Sequence, residues 1–144
     1  MKLNKLFITI FLMMFFNVFC FAEVNEVCKV QLTITNVQTT EGKIIMSIHD
    51  SDKSFSKRIP LETLCVIPEI SSVSCELILA PGEYAFCIYH DTNSNGELDT
   101  NLVGIPKEPF GFSNYDGKAA PGNFKKHKVQ ISGDTNISVP LVEF

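Results

Sequence analysis

From Cys28 onward the chain alternates apolar and polar residues with a period of two. Cys28, Val30, Leu32 and Ile34 fall on one side, and Lys29, Gln31, Thr33 and Thr35 on the other. Successive side chains of a strand point to opposite faces, so this spelling predicts a strand with one face in a core. Isoleucine-rich Lys43–His49 predicts a second strand, joined to the first by the hairpin-length stretch Thr39-Thr40-Glu41-Gly42. Asp50 to Ser56 is polar and reads as a loop, with Phe55 as a plug into the core. Leu61–Ile67 and Val73–Leu79 read as two strands of a hairpin centred on Ile70. Ala80-Pro81-Gly82-Glu83 is the clearest turn, because proline presets its second position and glycine supplies the positive φ of its third. Gly82–His90 then sets Tyr84, Phe86 and Ile88 against Ala85, Cys87 and Tyr89. Apolar side chains on both faces place that strand at the centre of its sheet. Phe124, Val129 and Ile131 mark a further strand, and Ile137, Val139 and Leu141 a last one, which Pro140 confines to an edge or a bulge.

About seven short strands with Gly, Pro and Asn turns, and no convincing helical period, give an all-β fold. The expected architecture is a single antiparallel β-sandwich, with an open barrel as its alternative.

Ahead of this domain, Lys2 and Lys5 precede the almost wholly apolar run Leu6 to Phe16, and Cys20-Phe21-Ala22 offers small residues before a cleavage point. That is the layout of a signal peptide at 1–22, cut between Ala22 and Glu23. Leu6 to Ala22 is short for a membrane span and contains Asn17. Phe19 stands where lipidation of Cys20 requires a small residue. Residues 23–144 then form one domain, destined for the periplasm or the exterior, with no stable membrane insertion. Lys2 and Lys5 leave with the signal, so the net charge moves from −4 to −6. An acidic surface disfavours nucleic acid and anionic membrane as partners. Lys125, Lys126, His127 and Lys128 read as a solvated strand edge.

Export leaves Cys28, Cys65, Cys75 and Cys87, an even number that favours disulfides. The hairpin centred on Ile70 sets Cys65 opposite Cys75, at Cβ separations of about 4.5–5.5 Å, which leaves Cys28 for Cys87. Buried free thiols are the alternative. The spacings contain no Cys-x-x-Cys, which disfavours zinc.

The candidate chemistry lies in Asp91-x-Asn93-x-Asn95-Gly96-x-x-Asp99. Oxygen-bearing side chains at alternate positions, with glycine at the sharp turn, are the layout that wraps a loop around a hard cation. The ligand set is Asp91, Asn93, Asn95, the Glu97 carbonyl and Asp99, and the cation Ca²⁺. Position twelve is Leu102, which cannot coordinate; the nearest further carboxylates are Glu108 and Asp116. Binding is therefore expected in the weak extracellular range of about 10⁻⁴–10⁻³ M. The competing reading is a metal-free turn, since Asn95-Gly96 favours tight turns and Asn and Asp cap their own backbones. Downstream, Ile105, Phe110 and Phe112 are expected to pack under the long loop as a satellite core, with a ligand platform beside Ser113, Asn114 and Tyr115 as the alternative.

Three stretches together resemble a known bacterial family. They are Pro81-Gly82-x-Tyr84-Ala85, His90-Asp91-x-Asn93-x-Asn95-Gly96-x-Leu98-Asp99-Thr100-Asn101, and Gly104-Ile105-Pro106-Lys107-Glu108-x-Phe110-Gly111-Phe112-Ser113-Asn114. The family is domain of unknown function 2141, and the likeness extends to Pro121 and Phe124. It implies an exported protein with a transthyretin-like or carboxypeptidase-regulatory-like sandwich, a Greek key of transthyretin or Ig type. It implies no established activity, and the four cysteines are not part of its pattern.

The first functional expectation is a non-catalytic exported module whose Ca²⁺-stabilised loop shapes a surface for a protein or glycan. The second is a small periplasmic hydrolase or metal-dependent enzyme using His90, Asp91 and Glu108, with His49, Tyr84, Tyr89 and Tyr115 as further groups. Adjacent strand residues such as His90 and Asp91 point to opposite faces, which weakens a dyad, and Ser113 lacks a nucleophile elbow. The third is a purely structural envelope protein.

Overall fold

The computed structural model describes residues 26–144, and the expected signal segment lies outside them. Eight strands run through the described residues: β1 (Cys28–Val37), β2 (Lys43–His49), β3 (Glu62–Val66), β4 (Ser71–Leu79), β5 (Gly82–Asp91), β6 (Phe110–Phe112), β7 (Val129–Ile131) and β8 (Thr135–Pro140). Two short helices, α1 (Asp52–Lys57) and α2 (Phe124–His127), interrupt them. The fold is all-β.

The strands form two sheets. One has the order β4-β1-β8; the other has β3-β2-β5-β6, with β7 also pairing β5. β6 and β7 share one flank of β5, opposite Cys87–Tyr89 and Gly82–Tyr84 respectively. A common core draws from both sheets. Val30, Leu32, Ile34 and Val139 come from one, and Ile44, Met46, Ile48, Phe86, Ile88 and Ile131 from the other. Each such side chain fully buried contributes about 1.5–3 kcal/mol, before the opposing chain entropy. The alternation along β1, β2 and β5 is therefore what registers them against this core. β5 is indeed central, with Ala85 buried on its second face.

The structure departs from the expectation in five places, three in strand pairing and two in helical turns. β3 and β4 do not form a hairpin: β3 pairs β2, while β4 pairs β1 in the other sheet. The connection 67–70 crosses between sheets, as does the stretch from β1 to β2. β8 runs parallel to β1, so the fold is not wholly antiparallel. Pro140 does sit on an edge strand, where its missing N–H costs no ladder bond. The polar stretch after β2 is helical rather than a loop: Ser51 accepts from the Ser54 N–H at 3.2 Å, and Arg58 ends the turn at φ 54°. Phe124 likewise starts a single helical turn and not a strand.

These partners decide the cysteines, all four of which are free thiols. Cys75 lies opposite core residue Leu32 and faces inward. Cys65 lies beside Ile45 on the outer face of the other sheet. Cys28 faces the core, whereas Cys87, paired with Ser47, faces away from it. Each expected disulfide would join cysteines of different sheets, and neither is formed. Burial raises the Cys75 thiol and pushes the Cys87 thiol up to about 12, because a thiolate there would lose its hydration.

Candidate functional site

The Asp/Asn/Gly loop leaves the end of β5, and two buried carboxylates brace it. Asp91 is fully buried. Its oxygens accept from the Asn95 N–H at 3.0 Å and the Gly96 N–H at 2.8 Å, and Lys43 lies 3.8 Å away across the strand pair. Glu108, only 4% exposed, reaches back from the far end of the loop. It accepts from the Thr92 N–H at 3.0 Å, the Thr92 hydroxyl at 3.3 Å and the Asp99 N–H at 3.1 Å. A carboxylate with two oxygens has about four acceptor sites, so each can staple several backbone donors that a bending chain leaves unpaired. Tyr89 adds a hydroxyl bond to the Gly96 carbonyl at 3.0 Å. Gly42 allows the close approach beneath: it has φ +72°, and a Cβ there would stand 2.0 Å from the Asp91 carbonyl oxygen.

The remaining expected ligands bond mainly to each other. Asp99 accepts from the side-chain amides of Asn93 at 2.7 Å and Asn95 at 3.2 Å. The amide oxygens of those asparagines accept from the N–H groups of Asn95 and Glu97. The set fits a hard cation in donor type, since Asp91, Asn93, Asn95 and Asp99 all carry oxygens in one loop. It does not fit in orientation, because NH₂ groups face Asp99 and backbone N–H groups already occupy Asp91. Glu97 is exposed, and its contribution to a cation shell would be its carbonyl alone. Among the described residues no three His, Cys, Asp or Glu side chains group where they could hold a metal. Of the two further carboxylates, Glu108 joins the loop, while Asp116 pairs with Lys118 at 3.3 Å on the surface.

The loop continues into a second, narrower hairpin. The Thr100–Pro106 bridge, Asn101 N–H to Ile105 O at 2.8 Å, and Lys107 N–H to Asp99 O at 2.8 Å close it. Leu102 stands at its tip.

The groups expected to serve an enzyme are dispersed. The His90 ring faces the core side of β5, where its Nε2 lies 2.8 Å from the Glu41 carbonyl. A carbonyl only accepts, so Nε2 carries the proton, and Nδ1 is left without a partner among the described residues. Asp91 faces the other way. His49 is five residues along β2 from the residue opposite His90, about 17 Å at the rise of a strand. It pairs with the Ser54 hydroxyl at 3.3 Å, and burial lowers its pKa. Tyr84 donates to the Ala80 carbonyl and Tyr115 to the Ala119 carbonyl.

His127 does not belong to the solvated cationic edge that its lysine neighbours suggest. Instead it is buried with Phe55, Phe112 and Tyr115, its ring centroid 4.7 Å from that of Phe112. Its Nδ1 donates to the Ser113 carbonyl at 3.0 Å, and its Nε2 accepts from the Gly122 N–H at 3.0 Å. Ser113 closes the latch by donating its hydroxyl to the His127 carbonyl and accepting from the Phe86 N–H. Burial is the largest cause lowering the pKa of His127, and the Ser113 bond offsets only part of it. Phe110 and Phe112 therefore belong to a satellite aromatic core on the outer face of the larger sheet, with Phe55 joining it there and not in the main core, whereas Ile105, expected to pack with them, is exposed. The usable signal was the single histidine between lysines, since an apolar neighbour at Phe124 puts His127 on the inner side of one helical turn.

The family model for an uncharacterized protein conserved in bacteria, DUF2141, matches residues 32–139. The chain belongs to the DUF2141 family. The match runs from β1 through β8 and takes in the whole braced loop, so loop and sheets are one family unit. No curated protein and no solved structure matches this DUF2141 chain.

Proposed function

We propose that this DUF2141 protein is an exported, non-catalytic β-sandwich module that presents the loop 91–108 as a surface for a protein or a glycan. In this reading the two sheets make a transthyretin-like Greek key whose task is to hold that loop. The supporting observation is the pair of buried carboxylates, Asp91 and Glu108, which fix four backbone N–H groups of an otherwise exposed segment. A loop ordered beforehand pays less entropy on binding, which suits recognition. Dispersal of His49, His90 and Glu108 among separate structural bonds favours this reading over an enzyme.

Ca²⁺ enters the same proposal as a weak ligand. Rotating the Asn93 and Asn95 amides would turn their oxygens toward Asp99, exchanging four hydrogen bonds for a cation. Free Ca²⁺ at tenfold over its Kd would stabilise the fold by about 1.4 kcal/mol. The test is the thermal midpoint of residues 23–144 in EDTA and in millimolar Ca²⁺ or Mg²⁺. A Ca²⁺-specific rise that Asp99→Ala abolishes supports the cation. Equal midpoints remove the cation and leave the carboxylate-braced loop. Unchanged stability in Asp91→Ala would remove the brace itself.

A further inference from the structure

The hairpin Asp99–Lys107 ends in an apolar tip that its own fold leaves uncovered. Leu102 is 107% exposed and Val103 78%, and Ile105 follows on the same hairpin. The tip is held stiffly. The Asn101 side chain accepts from the N–H groups of Val103 and Ile105, each at 3.0 Å, Gly104 turns the chain at φ +81°, and Glu108 pins the stem to the body. Rigid presentation of two bare aliphatic side chains leaves apolar surface in water that a partner would cover favourably.

Elsewhere the same chain carries a matching recess. β3 and β4 are the outer strands of their two sheets, and between them opens a crevice of about 350 Å³. Its walls include Leu64, Val66, Leu77 and Ile78, and Glu62 and Glu76 also line it. Glu62 has no ion-pair partner among the described residues, and Lys107 at the foot of the hairpin is likewise unpaired and exposed. Tip and recess are thus complementary in apolar character, and their flanks in charge. The tip's full exposure means that a copy does not fill its own recess.

We infer that the occupant of the β3–β4 crevice is the Leu102–Val103 tip of a second copy of this chain, with Lys107 set against Glu62. Because each copy carries both a tip and a recess, the contact is satisfied reciprocally in a twofold dimer or successively in chains and rings. This assembly does not rest on the loop's ligand or on Ca²⁺.

The experiment is sedimentation velocity of residues 23–144, which include every described element, under reducing conditions from micromolar to millimolar protein. The expected result is a mean mass that climbs with concentration past that of the monomer. Leu102→Asp removes the tip and Ile78→Asp the recess. Both positions are exposed, so circular dichroism is expected to match the parent, while self-association weakens at least tenfold in each. Mixing the two variants restores one junction only: Leu102→Asp keeps its recess and Ile78→Asp keeps its tip. The mixture is expected to stop at a heterodimer. A parent that stays monomeric throughout, variants that assemble like the parent, or a mixture that stays monomeric overturns the inference. So does tip-dependent binding to phosphatidylethanolamine–phosphatidylglycerol vesicles by a parent that does not self-associate.

Discussion

Removing the Glu108 carboxylate is the sharpest test of how the loop is held. Glu108→Ala deletes three hydrogen bonds, from the Thr92 N–H, the Thr92 hydroxyl and the Asp99 N–H. Each bond to a charged group contributes about 1.5–3 kcal/mol when its donor is fully buried. Thr92 and Asp99 are only half-buried, so water recovers part of that, and the expected loss is about 2–4 kcal/mol. For a domain of this size that is a fall in Tm on the order of 10 °C. Glu108→Gln keeps the shape and one acceptor oxygen, but its NH₂ must face a backbone donor, so about half the loss is expected. Urea unfolding gives the free energies, and a constant m-value would show that the denatured state is unaltered. Amide exchange at Thr92 and Asp99 locates the effect: both should lose protection in Glu108→Ala, and both should stay protected in a surface control such as Lys125→Ala. A Glu108→Ala protein within about 0.5 kcal/mol of the parent, the range of ordinary surface changes, would refute the bracing role.

Other consequences follow from the same geometry. Gly42→Ala would drive a Cβ into the Asp91 carbonyl at a backbone held by the β2–β5 ladder, at positive φ, so a loss of about 3 kcal/mol or more is expected in the same urea assay. Acid should destabilise the fold through His127 and His49. Their folded pKa values are lowered, so from about pH 6.5 downward the unfolded chain takes up protons that the folded chain refuses, and stability falls until the folded values are reached. His127→Gln should flatten part of that slope in denaturation midpoints measured from pH 7.5 to 5; an unchanged slope would clear His127 of the effect. Alkylation followed by mass spectrometry should find Cys65 modified first in the native protein and Cys87 protected, since with a pKa of about 12 only about one Cys87 thiol in 10⁴ is ionised at pH 8. Equal labelling rates would contradict the raised pKa of the half-buried Cys87.

Much of the fold is legible in the chain because side-chain direction in a strand follows sequence parity. The alternation at Cys28, Val30, Leu32 and Ile34 names the core face of β1, and the doubly apolar Tyr84–Tyr89 run marks β5 as central. Pro140 assigns β8 to an edge. The loop was legible as well, since Asp91, Gly96 and Asp99 turn the backbone by short-range bonds that neighbouring residues supply. Even the recruitment of Glu108 was within reach as the next carboxylate along the chain.

The choice of strand partner was not. Parity says which face a residue takes, but it is silent on which ladder receives the backbone. Val73–Leu79 has the alternation of a hairpin partner for Leu61–Ile67, and sequence proximity favours that pairing. In the folded protein a core shared by two sheets rewards sending the two strands to opposite sides of it. The same non-local choice sets β8 parallel to β1, a hundred residues apart, and places Cys65 and Cys75 in different sheets. His127 and Ser113 are joined only because α2 and β6 meet over the outer face of β5. The sequence by itself determined local direction, turns and the self-capping loop, since these depend on residues a few positions apart. The tertiary structure alone decided partners, the satellite aromatic core and the state of the cysteines, because those follow from burial distributed over the whole chain.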